Sequence, residues 1–291
     1  MLDDVIGLDS LKVPLYGVLA FVGLYFTRRY FKGAQFREIV SVEGKVALIT
    51  GSNSGIGKQI ARELNIRGAE LGCNPTRLII KSIDLANFQS IRSFIKDFSS
   101  EVERVDILIN NAGIMFYPRF ELTVDGNELT WQTNYLGHFL LTELLRPLLE
   151  KSNEGRIINV SSALHKRADS VDESVVYNPE KFNRYQPYCR SKLALVRSAS
   201  NELQIMHAVE LTRVIRLANP SSRVTINALH PGDGAQTPLY LALSKDVEGV
   251  SGKYFGECKE HKPSQKALNP ETCSLLYNYS IEAVGLGTPS P

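Results

Sequence analysis

The chain lacks an excess of either charge. Its 291 residues carry 33 Lys plus Arg against 31 Asp plus Glu, which leaves no basic surplus to neutralise phosphates and gives no reason to expect a nucleic-acid partner. Cysteine is scarce. Cys73, Cys189, Cys258 and Cys273 stand far apart and form no CxxC pair, which argues against zinc and fits thiols of a reducing compartment. Repeats and low-complexity tracts are missing as well. With 43% hydrophobic and 22% charged residues, the disordered and collagen-like classes are excluded. A full-length membrane-spanning run is also lacking. The uncharged stretch VPLYGVLAFVGLYF covers residues 13–26 and would rise about 21 Å as a helix, against a hydrocarbon core of ~30 Å.

That short run still has the flanks of an anchor. Asp3, Asp4 and Asp9 precede it, and Arg28, Arg29 and Lys32 follow it at once. The arginines can snorkel, and Tyr30 and Phe31 can add a turn at the interface. A cleaved signal would carry its positive charges before the apolar run. Residues 1–12 therefore read as a tail, 13–31 as a membrane anchor, 32–43 as a linker and 44–291 as one domain, facing the cytosol by the positive-inside rule.

From Glu43 onward the chain alternates apolar strands with helices. KVALIT (45–50), RLIIKSI (77–83), VDILIN (105–110), RIINVS (156–161) and VTINALH (224–230) read as buried parallel strands, and GKYF (252–255) as an edge strand. Helices are expected over 55–67, 88–101 and roughly 127–150, kinked or ended near Pro147, and from about 187. The expected fold class is α/β. It is a Rossmann-type single domain with a doubly wound, mostly parallel sheet of about six strands, whose ligands sit at the strands' carboxyl ends.

Chemistry-bearing residues collect at those ends. Gly51-Ser52-Asn53-Ser54-Gly55-Ile56-Gly57 follows the first strand, where glycines let the backbone turn sharply and place a pyrophosphate on a helix N-terminus. Asn111-Ala112-Gly113 follows VDILIN, and Asn134 lies on the next helix. Ser161 and Ser162 end the fourth strand, Tyr188 and Lys192 share a helical face at i, i+4, and His230-Pro231-Gly232 ends the fifth. Each alone is a turn, a cap or a surface pair. Together, in this order and at these ends, they are not coincidence.

These motifs resemble the short-chain dehydrogenase/reductase superfamily over residues 45–232. The basic-flanked anchor, TNYLGHFLLT (133–142), FNRYQPYCRSK (182–192) and GAQTPLYLAL (234–243) are similar to its membrane-anchored retinol dehydrogenase-like branch. The resemblance implies hydride transfer between a nicotinamide cofactor and an alcohol or carbonyl of the retinoid, steroid or lipid-aldehyde class, in the endoplasmic reticulum membrane. It implies a catalytic tetrad. Tyr188 is the general acid and base, and Ser162, rather than Ser161, holds the substrate oxygen. Lys192 bonds the nicotinamide ribose, and Asn134 holds a relaying water. The Lys192 ammonium is expected to pull the Tyr188 phenol below its reference of about 10. The cofactor would be held by residues 51–57, Asp84 and Leu85 at the adenine, Asn111, Ala112, Gly113, Tyr188, Lys192, Pro231 and Gly232. His138 and Trp131 read as core or helix-surface residues. The expected partners are a lipophilic small molecule, the membrane and a second copy of the chain. No metal is expected.

Three departures from the family pattern stand out. Between Gly68 and residue 77 about two dozen residues are missing, including the one that reads the ribose 2′ position by charge. NADP is therefore expected from the branch, with NAD not excluded. HPG runs almost directly into DGAQTPLY, without the usual capping segment. The stretch from Leu193 to Arg223 is longer than the pattern. A second class stays open on these grounds: a non-catalytic relative serving as a binding or structural protein. RLIIKSI is expected to shift beside KVALIT, opening the adenosine end.

Overall fold

The computed structural model describes Tyr16 and residues 21–23, 33–70, 78–197, 219–232 and 234–287. Among them a six-stranded sheet runs in the order β1 to β6: Ala47–Ile49, Ile107–Asn110, Arg156–Val160, Thr225–Leu229, Tyr254–Gly256 and Lys259–His261. The first five are parallel and β6 turns back antiparallel on β5. The class is Rossmann-like α/β, mostly parallel.

Period-two alternation divides each strand between two layers of core. Leu108, Ile157, Ile226, Ala228 and Tyr254 face one layer, with the helices Phe88–Glu101, Gly137–Glu150, Gln186–Arg197 and Pro270–Ala283. Ile107, Ile109, Ile158, Val160, Leu229 and Phe255 face the other, with the helices Gly55–Glu70 and Gln236–Leu243. Both faces are covered, as a parallel sheet requires. The helix at 88 starts where Asn87 caps it, its side chain accepting from the amides of Gln89 and Ser90, a bond worth about 1 kcal/mol. The expected helix over 127–150 is composite. A turn at Leu129–Trp131 leads into a π-turn, Gln132–Leu136, and then into Gly137–Glu150, which carries Pro147 inside it.

One expected strand does not form. Residues 78–83 of RLIIKSI pair with no strand, and β1 bonds only to β2. Leu78, Ile79 and Ile80 are 56%, 70% and 88% exposed, so the segment has no buried face to fix a register. Its contacts go elsewhere. Lys81 pairs with Glu101 at 2.5 Å, and Ile83 packs on the helical layer. The count of six is reached instead through β6, a segment that carries no strand pattern in the sequence. The strand-order reversal of a doubly wound sheet would lie beyond β1, and no described strand lies there.

The stretch read as linker packs on the body. Phe36 is buried, its amide donates to Gln236 Oε1 at 2.9 Å, and Arg67 lies 5.0 Å from its ring centroid. The anchor expected over 13–31 lies almost wholly outside the described residues. Among the described ones, no helix is long and apolar enough to cross a membrane. Most of the long stretch after Leu193 is also outside them. Cys189, Cys258 and Cys273 form no disulfide.

Candidate active site

The glycine turn is built against the end of β2. Gly51 has φ +66°, open to glycine at little cost, and a Cβ on Gly57 would stand 2.4 Å from the Gly51 carbonyl oxygen. Thr50 ties the two loops together, its Oγ1 accepting from the amides of Asn111 at 2.9 Å and Ala112 at 3.0 Å. Asn111 Nδ2 returns the bond to the Thr50 carbonyl at 2.9 Å. Ser52, Asn53, Ser54 and Gly55 are exposed, with Ile56 partly covered. Nothing stands within 4 Å of the Gly55 β-position at the head of the helix Gly55–Glu70. That is an open helix N-terminus of the kind an anionic pyrophosphate occupies, so these residues fit a dinucleotide.

The four tetrad candidates come from three places, the π-turn, the end of β3 and the helix Gln186–Arg197, and meet beside this turn. Asn134 sits in the π-turn, fully buried. Its Oδ1 accepts from Ile114 N at 2.8 Å, while its Nδ2 donates to Ile114 O at 2.9 Å and Ser191 Oγ at 3.0 Å. A Cβ on Gly113 would stand 3.0 Å from Asn134 Oδ1 and 3.6 Å from Lys192 Nζ. Lys192 Nζ donates to the Val160 carbonyl at 2.7 Å and lies 5.6 Å from the Tyr188 ring centroid. The Ser162 hydroxyl lies on the Tyr188 side of the site, close enough to favour the ionised phenol, and it accepts from the Leu164 amide at 3.2 Å. Ser161 is turned away, its hydroxyl donating to the Lys192 carbonyl at 2.7 Å.

The electrostatics differ from the expectation in one respect. Burial pushes the Tyr188 phenol up, with the Ser162 hydroxyl acting in the opposite direction. Burial outweighs any lowering by Lys192, whose ammonium donates to the Val160 carbonyl. Burial pulls Lys192 itself down to about 8, the direction desolvation imposes on a cation.

The remaining positions are spread around this centre. Asp84 is exposed, and its Oδ1 accepts from Ala86 N at 2.9 Å in the loop before the helix Phe88–Glu101. Leu85 is buried against Gly137. Pro231 and Gly232 follow β4 in a turn. The helix Gln236–Leu243 begins four residues after Gly232, so the described chain has no capping segment there. Among the described residues no group of His, Cys, Asp and Glu could hold a metal.

Sequence reasoning undervalued His138 and missed His165 and Phe116. His138 lies between Thr50 and Asn134, and His165 lies behind Ser162. Phe116, with φ +57°, sets its ring 5.7 Å from that of Tyr188. A buried imidazole leaves no spacing signal, but Phe116 follows closely on Asn111-Ala112-Gly113, which could have flagged it.

A family model described as short chain dehydrogenase matches residues 45–197. Retinol dehydrogenase 12 of Homo sapiens is 34% identical, covering 89% of this chain and 92% of its own length. Retinol dehydrogenase 14 of Mus musculus is 34% identical, covering 84% and 87%. Among solved structures, an uncharacterized protein from Mycobacterium Paratuberculosis aligns with a TM-score of 0.70 at 28% identity, covering 89% of this chain and all of that one.

Proposed function

Because the chain belongs to the short chain dehydrogenase family, whose members are oxidoreductases acting on CH–OH groups, we propose that it moves a hydride between NADP(H) and a lipophilic alcohol or carbonyl, of the retinoid, steroid or lipid-aldehyde class. The observation that carries this reading is the convergence of Tyr188, Ser162 and the buried Lys192 ammonium beside the glycine turn. Bound dinucleotide supplies or accepts the hydride at its nicotinamide. The chain's own residues handle the oxygen. Ser162 holds it by a hydrogen bond, and the Tyr188 phenol, protonated at neutral pH as phenols ordinarily are, delivers a proton to it in reduction and takes one back in oxidation. Lys192 would bond the nicotinamide ribose and Asn134 would hold a relaying water beside it, while residues 51–57 with Asn111, Ala112 and Gly113 would take the pyrophosphate side. Asp84 and Leu85 would meet the adenine, and Pro231 and Gly232 would border the nicotinamide.

The similarity to proteins named retinol dehydrogenases supports the substrate class. It also disfavours a purely structural role. The basic residues after the apolar run support an anchor over 13–31, with the domain on the cytosolic face of the endoplasmic reticulum. The test is direct. The full chain is mixed with NADPH or NADH and a series of aldehydes from short to retinoid, and loss of reduced nicotinamide absorbance is followed. Turnover that is fastest on the long apolar members with NADPH is expected. No turnover, together with no coenzyme binding at millimolar concentration, would overturn the reading.

A further inference from the structure

Two buried imidazoles outside the tetrad each grip the backbone of one of its members. His138 Nδ1 stands 2.9 Å from the Asn134 carbonyl oxygen, and its Nε2 stands 2.8 Å from Thr50 Oγ1. His165 Nδ1 stands 2.7 Å from the Ser162 carbonyl oxygen, and its Nε2 lies 3.1 Å from the amide of Ser264. A carbonyl oxygen can only accept, so Nδ1 is the protonated nitrogen in both rings. Nε2 must then accept, and it faces a donor in both. For His165 the donor is the Ser264 N–H. For His138 it is the Thr50 hydroxyl, whose oxygen already accepts from the amides of Asn111 and Ala112 and whose hydrogen has the ring at 2.8 Å as its nearer acceptor, against the Ile109 carbonyl at 3.4 Å.

We propose that His138 and His165 are paired positioning residues, neutral imidazoles locked as Nδ1–H tautomers that fix the backbones of Asn134 and Ser162 relative to the glycine turn and to the segment after β6. The proposal rests on the reading of Asn134 and Ser162 as site residues. Both rings are fully buried, and burial pulls both down to about 4, so neither carries charge near neutral pH. His138 bridges three things at once: β1 through Thr50, the loop after β2 through the same hydroxyl, and the π-turn. π-Turns interrupt the regular i→i+4 ladder and gather at functional sites, so a side-chain donor aimed at a π-turn carbonyl holds a segment that the ladder holds less well. His165 acts likewise on the loop after β3. Its ring meets Tyr254 edge-on at 4.8 Å, and the segment it engages is tied back by Lys266, whose Nζ donates to the Ala168 carbonyl at 2.8 Å. Small displacements at such a site are costly, since a misplacement of about 1 Å can lose ~10²-fold in rate.

The experiment has two readouts. Imidazole ¹⁵N NMR on the full chain assigns the tautomers, and Nδ1–H is expected for both rings. Turnover is then compared in His138→Phe, His165→Phe, His138→Asn and His165→Asn. The Phe variants keep the ring and lose both bonds. The Asn variants keep an N–H where Nδ1–H stood. Each Phe variant should lose about tenfold or more in kcat, with NADPH affinity by fluorescence quenching held within about threefold, and each Asn variant should recover most of the loss. Nε2–H on either ring overturns the proposal, as do folded Phe variants with unaltered kcat. If the Phe variants do not fold, Asn variants with kcat as low as that of an Ala variant overturn it equally. A wild-type chain that turns over no carbonyl counts against the proposed function, and the tautomer spectrum then decides this proposal alone.

Discussion

Arg190 forks onto Asp169, its Nε and one terminal nitrogen each donating to a carboxylate oxygen at 2.7 Å. The arginine is 2% exposed and stands midway between Tyr188 and Lys192 on their helix. A third bond, to the Val175 carbonyl at 3.2 Å, ties it to the short helix Glu173–Val176 beyond. The pair thus fastens the helix of the tyrosine to the loop of the serine. Truncating one partner of a buried pair costs ~3–5 kcal/mol, and Asp169 is half-exposed, which softens the cost. Asp169→Asn should lower stability by about 2 kcal/mol in urea titrations. An unchanged midpoint would refute the fastening role.

Removing the Tyr188 hydroxyl isolates the acid. Tyr188→Phe keeps the ring contact with Phe116 and loses only the hydroxyl on the Ser162 side. Turnover should fall by ~10²–10⁴ while coenzyme quenching stays near the wild-type curve. A Phe variant of full activity would remove Tyr188 from the reaction.

The glycine turn tolerates no methyl at its third glycine. Gly57→Ala sets a Cβ 2.4 Å from a backbone oxygen that cannot swing aside. Overpacking of this kind costs about 1–3 kcal/mol, and the turn must open to accept it. Thermal melts should show the loss, and NADPH affinity should fall with it. Retained affinity would mean that the turn does not shape the dinucleotide site.

His138 gives stability a pH dependence of definite sign. Its folded value, about 4, lies below the ordinary 6.5, so the unfolded chain takes up the proton first as pH falls. Its contribution is level above pH 6.5, declines between 6.5 and 4, and is level again below. By linkage the decline amounts to about 3 kcal/mol in total and about 2 by pH 5. Urea midpoints at pH 7.5 and 5.0 should therefore draw together in His138→Phe relative to wild type. Equal pH sensitivity of the two proteins would show that His138 is not buried neutral.

Truncation should distinguish anchor from body. Removing residues 1–32 spares Phe36 and should shift the protein to the soluble fraction with its melting temperature intact. Removing residues 1–43 also strips Phe36, its bond to Gln236 and the Ser244 hydroxyl's bond to Glu38 at 2.6 Å. Burying a phenylalanine is worth about 1.5–3 kcal/mol, so the melting temperature should drop. Equal melting of both truncations would make 33–43 a true linker.

Much of this molecule was legible in one dimension. Apolar runs such as VDILIN and RIINVS read as buried strands and form them, and the turn glycines stand out because the positive φ at Gly51 and Gly55 restricts which residues can stand there. The sheet's edges were not legible. RLIIKSI has every local mark of a strand, but pairing needs a partner in register and a buried face, and the fold gives Leu78, Ile79 and Ile80 neither. The exposed Lys259–His261 has no such mark, yet it pairs with β5 because the turn at Glu257 and Cys258 lays it alongside. In the site, residue types fixed which groups could donate, accept or carry charge. Which hydroxyl faces Tyr188, where the Lys192 ammonium points and which nitrogen of His138 holds its proton were settled by neighbours distant in sequence, because hydrogen bonding and burial depend on what packing brings within about 3 Å.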